Sequence, residues 1–304
     1  MTSTTATQDD PTGAHSTLVR KSLHDEALVT GWRPLTENRQ MVEVRWPTRH
    51  RFYVERGRYT PLIVTESLRQ ALALLTHTAH GIPLSHRLGW EHLRTAVSPG
   101  ALEVGPEPAE VELTVHHTEV TRRRLGSVHL ASRIEATRSG VLLGTATVRY
   151  STHPPVIYDR LRGPYADAQA AFARALPLTA PVPASLVGRG RERDVVLSPT
   201  AEPHRWRLRV DTAHRVLFDH PHDHIPGMVL LEAACQAAQA VTAPRPVMPV
   251  ALDTTFTRYV EFDRSCHVTA RELTGPGEDG RVAVDAHQGD RLVFSGTVTT
   301  RPRP

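Results

Sequence analysis

The chain has 304 residues, enough for two domains of ordinary size, each with its own core. Its formal net charge is +4, and it holds no run of about 18 apolar residues, which argues against a transmembrane helix. Two cysteines, Cys235 and Cys266, are too few for a disulfide scaffold and point to a reducing cytoplasm.

Residues 1–15 are polar, lack the apolar core of a signal peptide and read as a disordered leader. A first repeat spans 16–152. Val42, Val44 and Trp46 alternate with polar residues as a strand does. His50-Arg51-Phe52-Tyr53 and a loop with Gly57 follow, and then an apolar helix from about Pro61 to Ala79, where Pro61 suits the first turn. Leu62, Ile63, Leu68, Leu72 and Leu75 fill most of its faces, so the helix is expected to be enclosed. Alternation then returns at Val111, Leu113 and Val115, at Val128 and Leu130, and from Val141 to Val148 after the Gly140 turn. Arg122-Arg123-Arg124 reads as a solvated turn, and no basic, aromatic-interleaved patch suggests nucleic acid. A proline-punctuated connector over 153–190 contains a short helix near Ala166 to Leu176. The second repeat, 191–304, has a strand at Trp206, Leu208 and Val210 and a helix from about Pro226 to Val241. Strands then run over Val247 to Phe262, His267 to Leu273, Arg281 to His287 and Arg291 to Thr300.

The two halves repeat one design. A shift of 166 puts Glu66, Gln70, Ala71 and Pro83 on Glu232, Gln236, Ala237 and Pro249. A shift of 164 puts Val42, Val44, Trp46, His50 and Arg51 on Trp206, Leu208, Val210, His214 and Arg215. Ordered matches along both halves indicate duplication. The predicted fold is α+β: a tandem, or double, hotdog, with one antiparallel sheet wrapped around two long helices.

A carboxylate on an enclosed helix calls for a partner or a task, because an unpaired buried charge is costly. Glu66 and Glu232 are therefore candidates for acid–base work, against the alternative of structural hydrogen bonding. Arg69 shares a helical face with Glu66 and reads as an anion clamp or as an intrahelical ion pair. Ahead of Glu232 runs Phe218-Asp219-His220-Pro221-His222-Asp223-His224-Ile225-Pro226-Gly227-Met228. Alternate histidines are not an established zinc spacing, so no metal is expected. The loop reads instead as presenting His220, Asp223 and His224 to a substrate. Gly227 allows close backbone approach, and the first-turn N–H groups near Gly227 and Met228 can polarise a carbonyl.

This loop with Leu231-Glu232-Ala233-Ala234-Cys235-Gln236-Ala237 resembles the second-repeat signature of the A-factor biosynthesis (AfsA) family, whose members make γ-butyrolactone and butenolide autoregulators in actinobacteria. Lys21 to Gly31, Glu66-Ser67-Leu68-Arg69-Gln70 and Phe256-x-x-Tyr259-Val260-Glu261-Phe262 resemble its other motifs, and the likeness runs from about Leu18 to Thr300. The resemblance implies transfer of a β-ketoacyl group from an acyl carrier protein to dihydroxyacetone phosphate, without a cofactor. It implies Glu232 as general base, a catalytic set of Glu232, His224, Asp223, His220, Gly227, Met228 and Glu66, and substrate contacts from Arg69, Gln236, Gln70 and Tyr259. Cys235 stands where the family usually has arginine. The expected site is thus composite, with Glu232, His224 and the Gly227 turn on the thioester and Arg69 supplying the missing cation. A dehydratase or thioesterase, or a non-catalytic lactone- or acyl-binding protein, stays open as an alternative, as does a homodimer.

Overall fold

The computed structural model describes residues 16–273 and 279–303; the leader expected over 1–15 lies outside them. In the first half come β1 (Val29–Thr36), β2 (Arg39–Trp46), a small ribbon of β3 (Val54–Glu55) and β4 (Arg58–Tyr59), helix α1 (Leu62–Thr78), β5 (Arg87–Val97), β6 (Ala109–Arg122), β7 (Val128–Arg138) and β8 (Val141–His153). Helices α2 (Pro155–Arg162) and α3 (Ala168–Ala173) lie in the crossing. The second half has β9 (Leu197–Pro199), β10 (Arg205–Leu208), α4 (Gly227–Thr242), β11 (Val247–Phe256), β12 (Cys266–Glu272), β13 (Gly280–Gln288) and β14 (Arg291–Pro302).

Twelve strands form one antiparallel sheet in the order β1-β2-β6-β7-β8-β5-β11-β14-β13-β12-β10-β9. Read from either end, the order matches under the pairing β5 with β11, β8 with β14, β7 with β13 and β6 with β12. This is the duplication seen as a pseudo-two-fold. The halves join at β5 and β11, where Ala96 faces Ala251 and Leu93 faces Thr254. Alternation places Val42, Val44 and Trp46 of β2, and Val111, Leu113 and Val115 of β6, against the helices. Every residue of α1 except Arg69 and Thr78 is buried, as are all of α4 except Gly227, Gln239 and Val241. Both helices are apolar on nearly every face because the sheet wraps them. The tandem hotdog is the observed fold.

Two local expectations change. The strand expected to run to Phe262 ends at Phe256. The N–H groups of Thr257 and Arg258 both turn to the Val293 carbonyl, and the Val260 carbonyl is taken by Ile225, so 257–262 becomes a loop against the start of α4. Helix α2 was not foreseen; Pro155 occupies its first turn, where a missing N–H costs nothing. The short helix expected near Ala166 to Leu176 is α3.

Candidate active site

The two helix carboxylates sit in duplicated polar latches. In the first half Glu66 is 2% exposed. Arg69 donates to it through Nε at 2.9 Å and Nη2 at 2.8 Å, Gln70 donates at 2.8 Å, and Lys21 Nζ lies 3.2 Å away. Gln70 also donates to the Glu26 carbonyl and accepts from the Leu28 N–H, each at 2.7 Å, which ties the approach to β1 onto α1. Glu26 pairs with His50 at 3.2 Å, whose Nδ1 accepts from the Phe52 and Tyr53 N–H groups. Burial opposes ionisation of Glu66, but Arg69, then Lys21 and Gln70, outweigh it and hold the carboxyl down at about 2.

The second half repeats this. Arg189 donates to Glu232 through Nε at 2.7 Å and lies 2.6 Å away through Nη2. Gln236 donates to Glu232 and to the Asp194 carbonyl and accepts from the Val196 N–H. Asp194 pairs with His214 at 3.1 Å, whose Nδ1 accepts from the Leu217 N–H. Arg189 therefore stands where Lys21 stands, and Asp194 where Glu26 stands. Arg189 also donates to the Phe52 carbonyl at 2.7 Å, with its guanidinium 4.2 Å from that ring centre. Gln70 and Gln236 are thus cross-links of the fold, not groups aimed at a substrate.

The halves differ one turn on, where Arg69 answers to Cys235. The Cys235 thiol is pushed far above its usual range by burial, with Glu232 adding, and is no nucleophile.

The composite arrangement expected from the sequence is corrected here. Arg69 does meet the His220–Gly227 loop, in a cavity of about 380 Å³. Glu232 does not join them; it lines a separate cavity of about 210 Å³ with Cys235, Arg189 and the loop ahead of α1. Glu66 lines neither cavity; it is linked to the histidine loop's cavity through Arg69 and Lys21, which it pairs with and which do line it. Packing the two helices as a pseudo-dimer sets each helix against the other half's approach loop.

In the larger cavity the loop is held from both sides. Asp223 accepts from His224 Nδ1 at 2.9 Å through one oxygen, and from Tyr158 Oη at 2.6 Å and Arg162 Nε at 2.9 Å through the other. Arg162 also donates to the Asp223 carbonyl and, through Nη1 and Nη2, to both Glu261 oxygens at 2.8 and 2.7 Å. Its guanidinium lies 4.3 Å from the centre of the Tyr259 ring, against which His224 packs edge-on at 4.7 Å. Burial disfavours the Asp223 charge, but His224, Tyr158 and Arg162 together hold it well below the usual carboxylate range. With Nδ1–H given to Asp223, His224 keeps the Nε2 lone pair for the cavity it lines. Tyr158 and Arg162, from the unforeseen α2, are the functional residues that sequence reasoning missed.

Asp219 accepts from the Ser22 N–H and from His220. Asp219, His220 and His222 place ligand atoms within 4.8 Å of one another. Lys21 and Arg69 beside Asp219 already supply the positive charge there, which disfavours a metal cation. Burial, with His220 and His224, pushes His222 down to about 3 and keeps it neutral.

Gly227 opens α4 on the cavity wall; a Cβ there would sit 3.1 Å from the Phe256 ring. Met228 itself is buried, so its part is limited to its backbone N–H, free in the first turn. Arg20, Lys21, Arg69, Arg87 and Arg258 also line the cavity, and Arg87 and Arg69 stand close enough to Arg20 to repel it. Arg20 donates to the Leu84 and His86 carbonyls, while its buried Nε has no partner. Burial, with Arg87 and Arg69, lowers its pKa to about 10. Such crowding of cations fits an anion.

Residues 2–154 and 170–304 match a family model described as the A-factor biosynthesis hotdog domain (AfsA). A relative from Streptomyces virginiae, named 2-oxo-3-(phosphooxy)propyl 3-oxoalkanoate synthase, is 37% identical over 93% of this chain and 96% of its own. One of the same name from Streptomyces griseus is 40% identical over 94% of each. Among solved structures, a putative oleoyl thioesterase from Lactobacillus plantarum has a TM-score of 0.51 at 13% identity, covering 88% of this chain and 97% of its own. A putative thioesterase from Novosphingobium aromaticivorans has a TM-score of 0.52 at 12% identity, covering 90% and 98%. At such identity these two speak for the fold alone.

Proposed function

We propose that this chain, which belongs to the A-factor biosynthesis hotdog family, moves a 3-oxoacyl (β-ketoacyl) group from the thioester of an acyl carrier protein to a hydroxyl of dihydroxyacetone phosphate. The product is a 2-oxo-3-(phosphooxy)propyl 3-oxoalkanoate, the ester in the names of its relatives, which can close to a butenolide phosphate. The observation that supports this most is a single cavity lined both by crowded cations and by an Asp-oriented histidine beside a helix N-terminus.

In this reading the acceptor hydroxyl attacks the thioester carbonyl carbon while His224 Nε2 takes its proton. Asp223 fixes the tautomer and stabilises the imidazolium. The Gly227 and Met228 N–H groups receive the negative oxygen. The attack forms the ester C–O bond; collapse of the tetrahedral intermediate restores the C=O and breaks the C–S bond, and His224 returns the proton to the leaving thiolate. Arg69, Lys21 and Arg20 hold the phosphate; Glu66 acts through Arg69 by fixing it, without touching substrate. Trp90, Leu230 and Phe256 supply apolar wall for the acyl chain. The chain would work in the cytoplasm.

The test is purified protein with a 3-oxoacyl carrier protein and dihydroxyacetone phosphate, followed by mass spectrometry. A phosphorylated ester supports the reading. Thioester hydrolysis indifferent to the phosphate compound would replace it with a thioesterase, and lactone binding without any turnover with a sensor.

A further inference from the structure

The rim of the larger cavity carries an unpartnered surface. Leu84, Leu125 and Val156 are 45%, 71% and 79% exposed. They come from three separate segments: the loop after α1, the turn between β6 and β7, and the start of α2. Those segments are knitted together. His86 Nε2 lies 3.3 Å from the Gly126 carbonyl, and Ser127 Oγ lies 2.9 Å from His153 Nδ1. A Cβ on Gly126 would stand 3.4 Å from the Pro154 ring. The patch adjoins the cavity, since Arg87, three residues after Leu84, and Tyr158, two after Val156, both line it.

The patch is also basic. Arg123 and Arg124 immediately precede Leu125 and are exposed, and the exposed Arg87 follows Leu84 by three residues. None of these three makes an ion pair among the described residues, and the one exposed carboxylate of α2, Asp159, does not balance them. Unpaired arginines around exposed apolar side chains fit an acidic protein better than a second copy, since a two-fold contact would set the arginines against one another.

We propose that Leu84, Leu125 and Val156, ringed by Arg87, Arg123 and Arg124, form the docking surface for an acidic acyl carrier protein, whose thioester arm enters the cavity past Tyr158. The inference rests on the carrier-thioester reading above. Docking would bring the donor to His224 without using any residue of the chemistry.

The test compares wild type with Arg123→Glu/Arg124→Glu and with Leu125→Asp. Fluorescence anisotropy reads binding of a labelled holo acyl carrier protein of type II fatty-acid synthesis. Turnover is followed with a carrier-bound donor and with an N-acetylcysteamine thioester of the same acyl group. The expected result is carrier binding weakened about tenfold or more, a matching rise in KM for the carrier-bound donor, and unchanged use of the small thioester. Unchanged carrier binding overturns the proposal, as does an equal loss with both donors. So does wild type that dimerises, or sediments with anionic vesicles, through these residues in place of binding the carrier. Patch-dependent carrier binding without ester formation from either donor would sink the transferase reading and leave the docking surface standing.

Discussion

Glu66→Gln separates a positioning carboxylate from a catalytic one. In the native chain the carboxyl is held at about 2 against an ordinary 4.5. At 1.36 kcal/mol per pKa unit, its ionisation contributes about 3 kcal/mol to stability. The folded value is depressed, so this contribution is complete above about pH 5 and is lost as the pH falls towards about 2. Glutamine removes the charge but leaves Arg69 and Lys21, the latter with a side chain 5% exposed, without their anion. Breaking a buried pair in this way costs about 3–5 kcal/mol, a fall in Tm of about 5–15 °C for a chain this size. Arg69→Met and the double variant complete a cycle read by urea unfolding at pH 7, with an expected coupling of about 2–3 kcal/mol. In steady-state transfer assays below the variant's Tm, Glu66→Gln should raise KM for dihydroxyacetone phosphate more than it lowers kcat, because Arg69 loses its fixed position. A coupling near zero would refute the latch. A kcat collapse of about a thousandfold with KM unchanged would restore Glu66 as the base.

His224→Ala should lower kcat by about 10²–10⁴ while the fold is retained, because Nε2 serves the chemistry; pre-steady-state ester formation checks this. Arg162→Met should lower kcat while sparing KM for the phosphate compound, since it frees the Asp223 that orients His224. Cys235→Arg should leave KM for dihydroxyacetone phosphate unchanged, because that position lines the smaller cavity; a clear gain would show that the second helix serves the working site after all.

The fold was legible because its signals are local. Period-two alternation at Val42 to Trp46 and Val111 to Val115, and the all-round apolar α1 and α4, are properties of short windows that burial then satisfies. Most of the histidine loop was legible too, as was the meeting of Arg69 with it. That Glu232 lines the other cavity was not. Periodicity assigns a residue to a helix face but says nothing about which distant loop that face meets, and here the partner lies in the other half of the chain. Arg162 and Tyr158 were hidden in an eight-residue helix behind Pro154-Pro155, too short to show a period. Arg189 sat between Gly188 and Gly190 in what read as a linker, and its task becomes visible only when Glu232 is found against it. Lys21 was marked by the opening motif, without any hint of its partner.

On the proposed reading, the duplication lets both carboxylates serve stability while one cavity carries the chemistry. Removing either would strand a buried glutamine and an unpaired cation, so the latch constrains Glu66 and Glu232 alike through stability. Function can tell the halves apart at two other places: the residue one turn on, and the loop ahead of each helix. The first half keeps Arg69, but the residues leading directly into its helix read Arg58-Tyr59-Thr60-Pro61, with no histidine and no glycine at the helix start. The second half keeps the histidine loop and Gly227 but has Cys235. Within one half, each would be a damaged site. Because each cavity is built from one half's helix and the other half's loop, both losses fall in the same, smaller cavity. The larger cavity receives Arg69 and the intact histidine loop together. On the proposed reading, two incomplete halves therefore make one complete site, which the pseudo-two-fold permits and a pair of self-contained sites would not.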